Sequence, residues 1–433
     1  MAVTILNYPA TASLVESPVM FQVNDTTDAP TSSSYQFVCD VYTWQGDITT
    51  DKPTSPSYIL NKFPVTDYTG NPGTIFDLSP ILNSTMTASL ADIYQGTFIE
   101  PIHANRWFTA EFYGKYLNTT TQTYVTTSHQ SVSGWDNFVA LPGYNLWGER
   151  TGNEGLTSTT PFSESVEQYP ILSTIPNDAT QSLLNLDIPY YFSVYNLKDN
   201  ATQGQTYLAE IRQWPVQGTQ TGYNIVLGTA DSYTTSSQIA VETLIEPFMF
   251  ASMSAQGPEG VSIQVTDSSF QPIGEKIHFR IDECQKKYDP VRIVFKNRYG
   301  AFEQFDFGLV SRKSFSTQVK SYKQNALETP LYSTYDTFKG DKLYYTEGSE
   351  TLTVNTDYID EKFNDFFKGM LVSDEIYLVT AKPQETIYED GLFATFLPLV
   401  LTNNTVQFKT KVADKLIQYT FEFRFSTPYK LTL

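Results

Sequence analysis

The stretch that decides the fold is residues 289–307, which read DPVRIVFKNRYGAFEQFDF. Apolar residues at positions 291, 293 and 295 share one face of a strand, because successive side chains of a strand point to opposite faces. Residues 297–300 then predict a turn, since Asn and Gly adopt the positive φ angles that tight hairpin turns require. A second strand follows over 302–307. The stretch therefore predicts an antiparallel β-hairpin.

The same two-residue alternation of apolar and polar residues recurs along most of the chain. It is clearest over 35–41, 261–266, 276–282, 305–309, 406–412 and 419–425. Each such pattern places one strand face in a core and the other in water, as in antiparallel sandwiches. Turn-forming stretches at 71–73, 142–143, 256–258 and 339–341 separate the strands. We predict a mostly β protein of tandem antiparallel β-sandwich-like domains with one or two short helices.

Two segments carry helix signals. Near 356–369, apolar residues recur at helical spacing after an acidic first turn, with Thr356 or Asn355 as the N-cap. The pair Ser79-Pro80 predicts a second helix start, because a capping residue is followed by proline at the first helical position.

Domain boundaries are predicted from changes in this pattern. The polar stretch 148–182 lacks sustained alternation, which is typical of a linker or a long loop. It follows an N-terminal β-domain over 1–147 and precedes a central β-domain over 183–322 that holds the 291–307 hairpin. A C-terminal β-domain with the short helix near 356–369 completes the prediction over 323–433.

Composition and charge restrict the possible partners. Aromatic residues are 15% and charged residues 17% of the 433 residues, and the net charge is −19. Residues 1–250 hold 23 acidic and 7 basic side chains. Such a surface does not neutralise phosphate, which disfavours sequence-independent nucleic-acid binding and docking on an anionic membrane. An acidic wall would instead repel DNA and let it slide past, although solubility alone also accounts for the charge.

Cysteine content and targeting signals point to a cytoplasmic origin. Cys39 and Cys284 are too few for a disulfide scaffold or a thiolate zinc site. No apolar run approaches the roughly 20 residues that a membrane helix needs, and the chain start lacks a basic segment followed by an apolar one. We therefore expect synthesis in a cytoplasm and no membrane segment.

Residue types that carry catalysis are sparse. The histidines are His103, His129 and His278, and their spacing forms no local metal site. No nucleophile elbow, phosphate-binding or dinucleotide glycine pattern, or calcium loop occurs. His278 alternates with apolar neighbours, which predicts a solvated side chain. The acidic cluster Asp357, Asp360 and Glu361 is accounted for by a helix start.

Paired carboxylates for glycoside cleavage stay open from the sequence, since that chemistry needs only two acids that the fold brings together. With 47 acidic residues, such pairs also arise by chance. We predict no catalytic, no cofactor-binding and no metal-binding residues.

Two aromatic runs are candidates for sugar binding, Tyr190-Tyr191-Phe192 and Tyr344-Tyr345. Their rings offer rigid apolar faces with polar tips. Because strands also favour Tyr and Phe, packing in a core or an interface is the preferred interpretation.

The hairpin sequence FKNRYGAFEQFDF, residues 295–307, resembles a hairpin of structural proteins from tailed bacteriophages, especially crAss-like phages and other phages of Bacteroidota-type hosts. Residues 17–21 with the strand 35–44 are similar to the first β-domain of that class. Residues 74–82 look like its strand-to-helix corner, and 354–359, 371–378 and 418–425 look like its last domain. The resemblance implies a protein of the neck, ring, muzzle or tail assembly, and it supplies no catalytic residues.

On this resemblance we expect a non-enzymatic virion component, made in the host cytoplasm, that self-assembles around the DNA ejection axis. Its partners would be copies of itself in a ring, neighbouring portal, ring and tail-hub proteins, and passing DNA without specific binding. Three alternatives stay open: a receptor- or carbohydrate-binding tail protein, a depolymerase, and an unrelated secreted β-sandwich adhesin.

Overall fold

The computed structural model describes residues 3–9, 12–27, 29, 34–44, 51–66, 71–86, 98–99, 106–132, 138–146, 173–176, 180–184, 190–195, 206–214, 221–229, 240–245, 260–266, 272–281, 288–323, 341–381, 394–402, 406 and 416–426. Between residues 190 and 276 the description covers the backbone alone. The chain divides into two compact units. The first unit holds Met1–Gln181, Pro189–Ile281 and Lys296–Glu303, and the second holds Ser182–Ile188, Asp282–Phe295 and Gln304–Leu433.

The part of the chain up to residue 281 folds into strands with one short helix. The strands are β1 (Thr4–Asn7), β2 (Ala12–Leu14), β3 (Met20–Asn24), β4 (Gln36–Trp44), β5 (Tyr58–Lys62), β6 (Val65–Thr66), β7 (Pro72–Asp77), β8 (Phe98–Ile99), β9 (Arg106–Asn118), β10 (Thr123–Thr126), β11 (Phe138–Leu141), β12 (Thr180–Leu183), β13 (Tyr190–Tyr195), β14 (Thr206–Trp214), β15 (Thr221–Thr229), β16 (Ala240–Ile245), β17 (Gly260–Thr266) and β18 (Pro272–Ile281). The helix is α1 (Ser79–Ser84).

The rest of the chain adds a long antiparallel sheet and a second helix. Its strands are β19 (Val291–Lys296), β20 (Phe302–Phe307), β21 (Arg312–Lys323), β22 (Asp341–Asn355), β23 (Ile359–Asp360), β24 (Ile376–Ala381), β25 (Ala394–Leu401), β26 (Leu416–Ile417) and β27 (Thr420–Phe425). A 3-10 turn at Glu361–Phe363 leads into α2 (Asn364–Val372). The predicted mostly β class is confirmed.

Pairing is antiparallel in most of these sheets. The orders are β1-β3-β7-β6, β2-β11-β9-β4-β5 with β10 beside β9, β12-β18-β17-β14-β15, β13-β16-β8, β20-β19-β24-β25-β27-β22-β21, and β23-β26. The pair β2–β11 is parallel.

In the first unit, the four-stranded and six-stranded sheets pack face to face as a sandwich. The rings of Phe21 on β3 and Phe76 on β7 lie with centroids 5.2 and 5.7 Å from that of Phe112 on β9. Cys39 lies in the same buried cluster. Burial raises the pKa of the Cys39 thiol well above its ordinary value, so this cysteine is a small core residue and not a reactive one.

Strand β4 departs from the predicted alternation because both of its faces are buried. Its second face contributes Tyr42 and Trp44 to a second apolar cluster, together with Trp107 of β9. That cluster also contains Ala301, from the turn of the 291–307 hairpin, and Tyr299 packs against it. A segment distant in sequence therefore covers a face that the local pattern assigns to water.

The hairpin predicted at 291–307 is present as β19 and β20. The Asn297 side chain accepts hydrogen bonds from the amides of Tyr299 and Ala301 at 2.9 and 3.1 Å, which closes the turn. Gly300 has φ 77°, the conformation that the sequence argument required. The turn is held further by Lys296, whose ammonium lies 3.0 Å from the Glu16 carboxylate.

The first unit buries one acidic side chain close to the hairpin turn. Glu303 of β20 is 4% exposed. It accepts hydrogen bonds from the Ser173 hydroxyl and from the amide and hydroxyl of Thr174, all at 2.5 Å. Burial raises the pKa of the Glu303 carboxyl, while these donors act in the opposite direction.

The second unit buries an ion pair within the same hairpin. The Arg292 guanidinium donates to both carboxylate oxygens of Asp306, at 2.6 and 2.9 Å. The two side chains are 1% and 2% exposed. The Leu184 amide donates to Asp306 at 2.9 Å as well, so the pair is embedded in further polar contacts.

Aromatic rings form an apolar core in the second unit on the face of β20 opposite to that of Asp306, since neighbouring residues of a strand point to opposite faces. Phe305 contacts Phe366 and Phe367 of α2, with centroids 5.9 and 5.0 Å apart, and Phe367 stacks on Phe421 at 5.2 Å. These contacts explain the apolar spacing that predicted the helix.

The helix itself begins later than predicted. Helical structure runs over Glu361–Phe363 and Asn364–Val372, and Asp360 is the N-cap of the 3-10 turn, accepting from the Lys362 amide at 3.1 Å. Thr356, a predicted cap, is instead buried and exchanges hydrogen bonds with the Tyr419 backbone at 2.8 and 2.9 Å. Pairing with a strand distant in sequence therefore keeps residues 355–356 extended.

The predicted helix at Ser79-Pro80 is present, but its N-cap is Leu78, and Ser79, the predicted cap, is the first helical residue. Ser79 and Pro80 open α1, and the Asp77 carboxylate accepts from the Ser79 amide at 3.0 Å. The helix ends at Ser84. The predicted domain boundaries stay predictions, and most of the stretch 148–182 lies outside the described residues.

Replacing Asp306 by Asn tests the buried ion pair. The substitution keeps the side-chain shape but leaves the Arg292 guanidinium buried without its counter-charge, which we expect to cost about 3–5 kcal/mol. The matched control is Asp365→Asn, which removes the exposed pair with Lys368 (2.7 Å) and should cost at most about 1 kcal/mol. Urea unfolding measures both, and equal effects of the two substitutions would contradict this account.

Candidate interaction surfaces

Strands β21 and β22 form a long antiparallel pair at one edge of their sheet, which we call the β21–β22 ribbon. They pair from Arg312 opposite Thr353 to Lys323 opposite Asp341. Among the described residues, β27 pairs with β22 over residues 351–355. Over the ten residues 341–350, the described partner of β22 is β21, along a length of about 34 Å at the rise of an antiparallel strand. All twelve residues of β21 are exposed, and β21 is the edge strand.

One face of this ribbon is apolar. Phe315 and Val319 are each 50% exposed, and Leu343 is 64% exposed. The register places all three on the same side, because Leu343 lies opposite Ser321, which shares a face with residues 315 and 319. The Phe315 ring lies across Gly348, where a Cβ would collide with the ring. Glycine at 348 therefore lets Phe315 lie along the ribbon.

The other face carries tyrosines. A register shift between Lys320 and Ser321 leaves Tyr344 as an extra residue beside Tyr322, with ring centroids 6.2 Å apart. The Lys320 ammonium lies 5.3 Å from the ring centroid of Tyr345. Tyr344 and Tyr345 are exposed, so they are not part of a core, and the interface and sugar-binding interpretations of this pair both stay open.

A second feature lies on the first unit, where two carboxylates are direct neighbours. Asp40 of β4 lies opposite Glu111 of β9 in the register. His129 lies beside them, with Nδ1 3.3 Å from a Glu111 oxygen, and its ring stacks on Tyr113 at 4.2 Å. The hydroxyl of Tyr42 lies 3.4 Å from Glu111. We call Asp40, Tyr42, Glu111, Tyr113 and His129 the acid–aromatic cluster.

The electrostatics of this cluster follow from its composition. Burial raises the pKa of Asp40, and the neighbouring Glu111 charge raises it further. His129 and the Tyr113 hydroxyl lower the pKa of Asp40. Carboxylate oxygens beside flat aromatic faces can accept hydrogen bonds from sugar hydroxyls. Among the residues that the structure describes, no group of three or more His, Cys, Asp or Glu side chains could hold a metal ion.

Sequence reasoning did not find this cluster. The spacing of His129 in the sequence indicates no metal site, and nothing in it predicts that its ring stacks on Tyr113. Asp40 and Glu111 lie 71 positions apart, and only the pairing of β4 with β9 brings them together. An acidic residue inside the alternating run 35–41 was the one available signal.

A third feature is an open apolar groove of about 660 Å³ on the first unit. Leu6, Phe63 and Val65 line it, and all three are exposed, at 44%, 64% and 69%. Lys62 also lines the groove, but its ammonium donates to the Ile75 carbonyl at 2.7 Å. The groove therefore presents apolar side chains to solvent, and we call it the Phe63 groove.

The remaining candidate residues have local roles or lie outside the described part. His278 is half-buried on β18 between the buried Ile277 and Phe279, and is less solvated than predicted. Asp357 and Asp360 accept hydrogen bonds from the amides of Tyr358 and Lys362, at 2.7 and 3.1 Å. Outside the described part lie His103, Cys284 and the side chains of Tyr190, Tyr191 and Phe192.

Comparison with known proteins adds little. No family model and no curated protein matches the chain. A solved structure, a protein of unknown function from Porphyromonas gingivalis W83, is similar at 9% identity with a TM-score of 0.14. The match covers 65% of this chain and 99% of that one. Among the described helices, none has the length and apolar character needed to cross a membrane.

Titration of Asp40 tests the electrostatics of the acid–aromatic cluster. Glu111→Gln removes a like charge and should lower the pKa of Asp40, whereas His129→Gln removes a lowering influence and should raise it. Carbon-13 NMR of selectively labelled aspartate side chains measures both shifts. Movement of the Asp40 pKa in the same direction in both variants would contradict the assignment.

Proposed function

We propose that this protein is a non-enzymatic structural component of a tailed-phage virion, in a tail, neck, ring or muzzle assembly. It self-assembles around the DNA ejection axis from chains made in the host cytoplasm. Its partners are copies of itself and the neighbouring portal, ring and tail-hub proteins. The proposal starts from the resemblance of the 295–307 hairpin to phage structural proteins.

The observation that carries the proposal is the exposed β21–β22 ribbon. A long edge strand with apolar side chains on one face is prone to pair with another chain, and natural proteins usually shorten or cover such edges. Here twelve consecutive edge residues are exposed. Phe315, Val319 and Leu343 give the ribbon an exposed apolar face of the kind that another protein covers.

The acidity of the first 250 residues supports a place near DNA. With 23 acidic and 7 basic residues, that part of the chain repels phosphate. A ring whose wall carries this charge would let DNA pass without binding it.

Substitutions on the apolar face of the ribbon test the self-assembly. We expect the wild-type protein to sediment as multimers at micromolar concentration. Phe315→Ser, Val319→Ser and Leu343→Ser together should weaken association by about 3 kcal/mol, roughly a hundredfold in the dissociation constant.

The matched control is Tyr358→Ser with Val372→Ser, two side chains that are 66% and 64% exposed outside the ribbon. This variant should assemble like the wild type. Sedimentation velocity measures all three proteins, and a wild type that stays a single protomer, even with its virion neighbours present, would contradict the proposed function.

The second candidate is a receptor- or carbohydrate-binding tail protein. The acid–aromatic cluster favours it, because Tyr113 and His129 form a flat stacked pair beside two carboxylates. Rigid aromatic faces with hydrogen-bond acceptors are a common basis for sugar recognition.

Glycan binding separates this candidate from the first one. If the cluster binds a host glycan, binding should be saturable, and Tyr113→Ala should weaken it at least tenfold while the exposed Tyr124→Ala leaves it unchanged. Isothermal titration against host surface polysaccharide measures this. If the wild-type protein and the Tyr124→Ala variant both fail to bind the polysaccharide, the second candidate is removed.

A further inference from the structure

Strand β21 has the geometry to accept a further antiparallel strand. It lies at the end of its sheet among the described strands, all twelve of its residues are exposed, and none is a proline. Every second residue directs its backbone amide and carbonyl at β22, so the alternate residues direct theirs outward. The bulge of the ribbon lies on β22, where Tyr344 is the extra residue. The outward edge of β21 is therefore regular and offers a row of backbone donors and acceptors.

The charges of β21 restrict which strand can be added there. The strand carries no acidic residue, and its four cations are Arg312, Lys313, Lys320 and Lys323. The Lys313 ammonium lies 3.8 Å from the Glu350 carboxylate, and Lys323 lies opposite Asp341 in the register of the ribbon. An added strand therefore needs no acidic residues to balance these two lysines, but it must keep its own cations away from them, because lysines on an edge oppose pairing.

A second copy of β21 meets this condition in one register. Opposite residues of an antiparallel pair both direct their backbone groups at each other, so two β21 strands can shift only in steps of two residues. When Thr317 lies opposite Thr317 of the second copy, residues 312–322 of both copies pair. Phe315 then lies opposite Val319 of the second copy, and this aromatic and β-branched pair occurs twice, as such pairs stabilise antiparallel sheets.

The same register separates the cations. Each cation of residues 312–322 lies opposite an uncharged residue of the second copy, in the pairs Lys313 with Ser321, Lys320 with Ser314, and Arg312 with Tyr322. The last pair also places a guanidinium beside an aromatic ring, a favourable contact.

Neighbouring registers lack this separation. Sliding one strand by two residues places Arg312 opposite Lys320 in one direction and Lys313 opposite Lys323 in the other. Like charges directly opposite in a sheet are destabilising. Longer slides pair fewer residues of the two strands. The side-chain pattern of β21 is therefore complementary to itself about Thr317.

We infer that β21 pairs antiparallel with β21 of a second copy about a two-fold axis at Thr317, so that the two sheets become one continuous sheet. The inference rests on the proposed function and names the first contact of the self-assembly. A two-fold contact closes at two copies, so a ring of such pairs uses a second, different contact.

A cysteine at the axis tests the register. In the paired sheet the two Cα atoms of residue 317 lie about 4.5–5.5 Å apart, within the range of about 4.4–6.8 Å that a disulfide spans. Thr317→Cys should therefore form a disulfide-linked dimer under mild oxidation, and mass spectrometry of the linked peptides identifies the bond.

The matched control is Ser321→Cys, on the same face of the same strand. Its two copies would lie about 27 Å apart along the paired strands and should stay unlinked. The wild type controls for the native Cys39 and Cys284, and circular dichroism checks that both variants keep the fold.

Hydrogen exchange of the wild type gives a second measurement that needs no substitution. Amides that donate across the new strand pair are protected only in the dimer. As the protein concentration rises through the dissociation constant, exchange at alternate residues of 312–322 should slow by about tenfold or more. Strand β5, an exposed edge strand of another sheet, is the internal control and should exchange at the same rate throughout.

The outcomes separate this inference from the proposed function. If the wild type assembles but the two cysteine variants link equally, or the outward amides of β21 stay unprotected, the pairing is overturned and the proposed function stands. A wild type that pairs through β21 but forms nothing larger than two copies, even with its virion neighbours, supports the pairing and contradicts the proposed ring. A wild type that stays a single protomer overturns both.

Discussion

Charged side chains without water around them constrain this protein most strongly, and one hairpin holds three of them. Moving an ion out of water costs several kcal/mol unless partners replace the solvent. The Arg292 guanidinium donates hydrogen bonds to both carboxylate oxygens of Asp306, so each group takes the place of water around the other. The hydroxyls of Ser173 and Thr174 take the place of water around the Glu303 carboxyl. A shift of one residue in either strand would turn these side chains to the opposite face and break the contacts. Charge therefore fixes the hairpin register, in addition to the apolar residues that first predicted the strands.

Period-two alternation predicted the fold class because it reports a local property, the two faces of a strand. It was wrong where a distant segment supplies the second cover, as at β4, whose outer face packs with Ala301 and Tyr299. The start of the predicted helix was wrong for a similar reason, since Thr356 pairs with the Tyr419 backbone and stays extended. Residues 355–356 are good caps by type, but pairing between residues about 60 positions apart is not visible in a local window.

The candidate surfaces were harder to predict than the core. Asp40 and Glu111 become neighbours only through the pairing of β4 with β9. Tyr344 and Tyr345 have the composition of a buried strand, yet both are exposed in the ribbon that β22 forms with β21. Residue type and parity do not reveal which part of a strand stays exposed in the folded protein. The sequence alone therefore leaves both interpretations of these tyrosines open, an interface and a sugar-binding site.

The aromatic residues of the chain serve two purposes in the described parts. Phe305, Phe366 and Phe367 lie inside the second unit, whereas Phe315, Tyr344 and Tyr345 lie on its surface. A monomeric protein gains little from exposed rings on a long edge strand, and the proposed assembly would remove them from water.

A cryo-EM reconstruction of the assembled protein, alone or in the intact particle, tests the central claim most directly. The account predicts several copies around one axis, with the ribbon of each copy covered by a neighbouring protein. A reconstruction in which the protein occurs as single copies, or in which the ribbons project into solvent, would contradict it.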